Sequence, residues 1–236
     1  KMYYLDSIIV NLVSALIGAI VATIYKSRKY LTLFAKSFLY FNKDIRFSIS
    51  YLYRIKIDDE YLLIKGNRID QFQPIGGVYK YYSSFLSIKN DYEIRSESQN
   101  NFCEGEDLRF IVKGKYIIPI LNWFNSKKNR EVTIHREFYE ELIRDNILNI
   151  EAIVRSEFEF IRQIEPMLQY SEHFNKMEIL LFDIYELRLN NYDINQIRQS
   201  LSNDRLILVD MDSIKREHIS INGRDCKIGA HAKYIL

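Results

Sequence analysis

Only two cysteines, Cys103 and Cys226, occur in 236 residues. That excludes a disulfide framework, and the spacing is not that of a zinc site. A reducing compartment fits such usage. Eight glycines and three prolines are few against average frequencies of about 7% and 5%, which excludes collagen-like and low-complexity architectures. Charge of one sign is not in excess either: 33 Lys plus Arg against 31 Asp plus Glu give a formal net charge of +2. A protein built to coat DNA or RNA would be far more basic, so no nucleic-acid polymer is expected as a partner, and any nucleotide site must be local. What is present is 47% hydrophobic and 14% aromatic residues, enough for one packed core with an appendage.

The appendage is N-terminal. Residues 7–25, SIIVNLVSALIGAIVATIY, carry no charge. At about 1.5 Å per residue these nineteen residues nearly cross a hydrocarbon layer of about 30 Å. A buried core helix is the alternative, but such helices seldom stay uncharged on every face for five turns. A cleavable signal peptide would lack the cationic stop formed by Lys26, Arg28 and Lys29. These cations outweigh Lys1, so the positive-inside rule predicts a single-pass protein of the bacterial inner membrane with its C-terminal part in the cytoplasm. Residues 1–29 are therefore expected to be a transmembrane helix with a basic flank. Ser14, Gly18 and Ala22 recur every four residues, and small side chains in that register let two helices approach closely in lipid. A homo-oligomer is expected. Residues 30–46 read as a juxtamembrane connector, aromatic enough to lie at headgroup level or to pack on the domain.

The remainder, 47–236, reads as mixed α/β. Residues 48–57 and 60–66 are β-rich runs around Asp58-Asp59, a hairpin pattern. Residues 108–114, 154–164, 177–189 and 205–210 are further strand candidates. Residues 133–147 and 191–201 have helical periodicity, the latter opened by the polar cluster NNYD. Strands and helices mixed on one core predict a layered α/β domain.

The chemically suggestive segment is HREFYEELI. Glu137, Glu140 and Glu141 are spaced three and four residues apart and would share a helix face, with Ile134, Phe138 and Leu142 opposite. Massed carboxylates suit a hard divalent cation that also bridges phosphates. A solvated acidic face, with Arg136 and Arg144 as pairing partners, is the plainer reading of the local sequence alone.

Arg136-Glu137-Phe138-Tyr139-Glu140-Glu141 resembles the R-E-hydrophobic-x-E-E core of the Nudix box, and Pro74-Ile75-Gly76-Gly77 resembles the loop that opens it. The box is split by a long insertion. Counting back from Arg136 places Lys128 where the box has its first Glu and Asn122 where it has its Gly. Counting forward from Gly77 places Ser83 at the Glu, and Ile143 replaces the glycine after the Glu pair. With the membrane span, the run EILLFDIYELRL and the terminal IGAHAKYIL, the chain resembles the SMODS-associated Nudix domain. The resemblance implies a Nudix-like mixed sheet with flanking helices behind one N-terminal membrane helix. It also implies a role in anti-phage signalling of the CBASS type, where an effector answers a cyclic oligonucleotide.

Three functions follow from that resemblance: a sensor-effector whose ligand binding gathers membrane helices and disrupts the bilayer, a membrane-tethered Nudix hydrolase of a nucleoside diphosphate derivative, and an anchor that recruits a protein. Loss of the first Glu argues against efficient metal-assisted hydrolysis. Any residual catalysis would rest on Arg136, Glu137, Glu140 and Glu141, and any Mg²⁺ on the three glutamates. For the ligand, phosphates call for Arg or Lys and bases for aromatic platforms. Gly76, Gly77, Tyr79, Lys80 and Tyr82 follow from the Gly-Gly turn. Arg54 on the first strand, Arg155 on the later strand and His231 in the terminal motif complete the expected set.

Overall fold

The computed structural model describes residues 11, 14, 15, 17, 18, 31–67, 69–97, 106–201, 204–221 and 223–236. The span expected over 7–25 and its cationic flank lie outside the described residues, except for Asn11, Ser14, Ala15, Ile17 and Gly18, which are helical and exposed. Among the described residues no helix is long and apolar enough to cross a membrane.

The chain proceeds through α1 (Leu31–Leu39), β1 (Asp44–Arg54), β2 (Lys56–Ile57), β3 (Glu60–Lys65), β4 (Phe72–Pro74), β5 (Gly76–Val78), α2 (Leu86–Asp91), β6 (Arg95–Ser96), β7 (Arg109–Lys113) and α3 (Ile117–Asn125). Next come α4 (His135–Phe138), which runs on as a π turn over Tyr139–Ile143, then α5 (Ala152–Arg155), β8 (Glu157–Gln163), β9 (Met167–Ser171) and β10 (Lys176–Arg188). The last part holds α6 (Asn191–Ser200), β11 (Leu206–Val209), α7 (Met211–Arg216), β12 (His218–Ile221), β13 (Arg224–Lys227) and a 3₁₀ turn over Ala230–Ile235.

β1 is the spine of the larger sheet. It pairs in parallel with β10 and antiparallel with β5 and β7, while β10 takes β8 and β9. Its alternation sorts the molecule into two cores. Phe47, Ile49, Tyr51 and Tyr53 point to one face and pack among Ile120 of α3, Phe138 of α4 and Leu33 of α1. Leu52, Phe182 and Ile184 point to the other and meet Leu63 and Val209 of the smaller sheet, β11-β3-β2 with β4 on β3, together with Ala232 and Ile235. The layered α/β architecture is as expected.

Three local readings change. The run 48–57 is not one strand: it breaks at Ile55, so β1 stays in the large sheet and β2 turns into the small one, with Asp58 at φ 55° leading the hairpin to β3. The strand expected over 154–164 starts only at Glu157, because α5 occupies the preceding turn, where Ser156 Oγ donates to the Ala152 carbonyl at 2.6 Å. Arg155 is therefore on a helical turn. The helix expected over 133–147 is shorter and widens into the π turn, where the Arg144 amide donates to the Tyr139 carbonyl at 2.8 Å. The α6 cap matches the NNYD reading: Asn190 Oδ1 accepts from the Asp193 amide at 2.9 Å.

Candidate functional site

The two halves of the split box meet in space. β5 carries Gly76 and Gly77 opposite Leu52 and Tyr51 of β1, and α4 lies against β5. A cavity of about 370 Å³ is lined by Gly76, Gly77, Arg136, Glu137, Glu140 and Glu141, with Arg109 and Arg144 beside them. The insertion between the halves holds α2, β6, β7 and α3 and is itself part of the fold. Gly77 has a steric reason to lack a side chain, since a Cβ there would overlap the Glu137 carboxylate.

Arg136 organises this cavity. Its Nη1 donates to Glu137 Oε1 at 2.5 Å, its Nε to Glu131 Oε1 at 3.3 Å and its Nη2 to the Val78 carbonyl at 2.7 Å. Glu140 Oε1 lies 3.5 Å from Nη1. Glu141 turns elsewhere, to Arg205 Nη2 at 2.9 Å, and Arg205 also pairs with Asp145. A cation of the kind the Nudix resemblance implies needs several oxygens turned to one point. Here Arg136 takes Glu137 and Glu140 while Arg205 takes Glu141. Among the described residues no three His, Cys, Asp or Glu side chains group to hold a metal ion. As placed, these residues do not fit a Mg²⁺ site.

Glu137 is buried, and desolvation pushes its carboxyl up to about 7, with Arg136 opposing and the Glu140 and Glu141 charges adding to the rise. An acid whose folded pKa exceeds its unfolded one binds more protons when folded, so its contribution is greatest below about 4.5 and is lost as pH rises through about 7. Glu137→Gln is therefore expected to remove a stability difference of at most about 3 kcal/mol between pH 5 and pH 8. Urea midpoints of both proteins at the two values measure it; equal pH slopes would refute the assignment.

The family model of the SMODS-associated NUDIX domain matches residues 44–236. The chain belongs to that family. No curated protein and no solved structure matches it. Membership associates this SMODS-associated NUDIX domain with anti-phage signalling of the CBASS type.

The other expected ligand residues are scattered. Arg54 Nε donates to Glu186 Oε2 at 2.5 Å. Arg155 pairs with Asp193 at 2.6 Å and Glu151 at 2.9 Å. Neither lines the box cavity. Lys80 offers its backbone amide to Glu131 Oε2 at 3.1 Å, and Tyr82 is exposed ahead of a 3₁₀ turn. His231 stacks on Phe182, and desolvation pushes it down to about 4, so near neutral pH it is an uncharged packing group. Tyr79 does not stack outward: it is 1% exposed, and its hydroxyl donates to Asp183 Oδ2 at 2.9 Å.

Tyr79 nevertheless lines a second, larger cavity of about 600 Å³, walled by Phe124 of α3, Phe158 and Phe160 of β8, and Asp183 and Tyr185 of β10, with Arg130 at its side. Sequence reasoning passed over most of these residues. One signal was readable: Asp183 is a carboxylate inside the apolar run EILLFDIYELRL, and a buried charge in a central strand needs built partners. Arg205 and Arg130 gave no such signal, because the partner of the first, Glu141, is remote in sequence and those of the second are backbone carbonyls.

Proposed function

We propose that the chain is a membrane-anchored effector of a cyclic-oligonucleotide anti-phage system. The NUDIX domain binds a cyclic di- or trinucleotide on the cytoplasmic side of the bacterial inner membrane, and binding gathers the membrane helices into a homo-oligomer that breaches the bilayer. The observation that carries binding over hydrolysis is the allocation of the box glutamates to Arg136 and Arg205, which spends on ion pairs the oxygens that metal-assisted hydrolysis would use. Family membership supports the class of signal.

The test is calorimetric titration of the full chain in detergent with a panel of cyclic di- and trinucleotides. A dissociation constant in the micromolar range or tighter, about −8 kcal/mol, is expected for at least one. Absence of binding across the panel would sink the sensor reading. Mg²⁺-dependent turnover of nucleoside diphosphate derivatives at about 1 s⁻¹ or faster, abolished by Glu140→Gln, would replace it with the hydrolase. Gly18→Leu should block close helix approach, leaving ligand affinity unchanged but reducing membrane-potential dye entry in cells. Undiminished dye entry would remove helix contact from the mechanism.

A further inference from the structure

The larger cavity carries the ingredients of a nucleotide pocket, and its geometry has a local cause. β8 pairs with β10 through a shift of register: Phe160 faces Tyr185, Arg162 faces Ile184, and Ile161 between them has no partner. This extra residue is a β-bulge, which reverses the alternation beyond it. Without it Gln163 would point away from Phe158 and Phe160. With it all three share the face that carries Asp183 and Tyr185, and Gln163 Nε2 donates to Asp183 Oδ1 at 2.9 Å. The bulge thus sets an amide and a carboxylate beside an aromatic wall.

Arg130 gives that wall its charge. It is 4% exposed, its guanidinium lies 3.8 Å from the Phe124 ring centre and 4.9 Å from that of Tyr79, and it donates to two backbone carbonyls, Nε to Phe124 at 3.0 Å and Nη1 to Glu131 at 2.6 Å. Among the described residues no carboxylate is in ion-pair contact with it, and Nη2 has no acceptor. Asp183 is already held by Tyr79 and Gln163. A buried cation with no carboxylate in direct contact is costly, and burial lowers the Arg130 pKa although Tyr79, Asp183, Tyr185 and Glu131 pull it up from a distance. An anion entering the cavity would relieve that cost and find a free guanidinium N–H. Phe160, 53% exposed and edge-on to Tyr185 at 5.4 Å, offers an open ring face at the mouth, with Lys127 nearby.

We propose that this cavity binds one nucleotide unit of the ligand, the base stacked on Phe160 and the phosphate held by Arg130. The site is distinct from the box cavity, and the assignment rests on the ligand class proposed above. Stacking on an aromatic side chain and phosphate pairing to a desolvated arginine are the two interactions a single nucleotide can supply together.

The full chain in detergent is titrated with the four ribonucleoside 5′-monophosphates, the matching nucleosides and inorganic phosphate. At least one monophosphate is expected to bind about tenfold more tightly than its nucleoside and than phosphate. Phe160→Ala should weaken it about tenfold, within the range for one lost stacking contact. Phe160→Trp should retain affinity and show quenching of the new indole. Arg130→Gln should reduce the monophosphate to its nucleoside's affinity; if that variant does not fold, the exposed Phe160 pair still decides. Monophosphates that do not bind, or that bind equally to Phe160→Ala, overturn the pocket. The failures separate cleanly. A cyclic oligonucleotide that binds wild type and Phe160→Ala alike removes the pocket and leaves the sensor, whereas Phe160-dependent mononucleotide binding without any cyclic ligand keeps the pocket and removes the sensor.

Discussion

Replacing Arg136 by alanine is expected to cost about 3–5 kcal/mol at pH 8, the range for removing one partner of a buried ion pair. The guanidinium holds Glu131, Glu137 and Glu140 and caps the Val78 carbonyl at 2.7 Å, so its loss strands carboxylates of which Glu131 is 7% and Glu137 8% exposed. The cost should shrink at lower pH. Without the opposing cation, Glu137 would rise above its present value of about 7, and a protonated carboxyl no longer needs the pair. Arg136→Lys should fall between wild type and alanine, because a single ammonium cannot reach four acceptors spread around a planar fork. Chemical denaturation of the three proteins at pH 8 and pH 5.5 measures the series. An alanine variant within about 1 kcal/mol of wild type at pH 8, as for an exposed pair, would show that the clamp is not what holds β5 to α4.

Gly76→Ala should be about as damaging, at least about 3 kcal/mol, for a reason of space rather than charge. A methyl group there would overlap the Tyr51 carbonyl oxygen and come within 2.9 Å of Leu52 Cα, both backbone atoms of the central strand. Rotation of a side chain cannot relieve that contact, so β5 must separate from β1. Gly77→Ala differs, because its methyl group meets the Glu137 side chain. Shortening that side chain should rescue it: Gly77→Ala with Glu137→Ala is expected to recover part of the loss, whereas Gly76→Ala with Glu137→Ala is not. Thermal melts of the singles and doubles test this, and rescue of Gly76→Ala would invalidate the backbone explanation.

Long β-rich apolar runs were readable in the sequence as strands buried on both faces. β10 was expected over 177–189 and runs over Lys176–Arg188, and α6 was readable from its cap. The break at Ile55 was not readable, since Lys56-Ile57 continues the same β-rich pattern and only tertiary pairing moves it to the other sheet. Arg155 was misplaced because VRSEFEFIRQI alternates well enough to hide the helical turn at its start. Within the site, the box residues were recognisable as chemistry although 58 positions separate Arg136 from its acceptor Val78. The larger cavity was nearly invisible: its one-residue bulge leaves no composition signal, and Arg130 lies in a polar stretch that reads as a surface loop.

The way α1 joins the domain fixes how motion can pass along the chain. Leu33 is part of the main core, and the segment after α1 is stapled to the end of β7, with the Gly114 amide on the Lys43 carbonyl and the Lys115 amide on the Phe41 carbonyl, both at 3.0 Å. Gly114 permits this, because a Cβ would overlap the Tyr40 carbonyl. There is no slack between α1 and β1. α1 is therefore a stiff lever rather than a tether: any tilt of the sheet becomes a tilt of α1, carrying Phe34 and Phe38 on its outward side through the same angle.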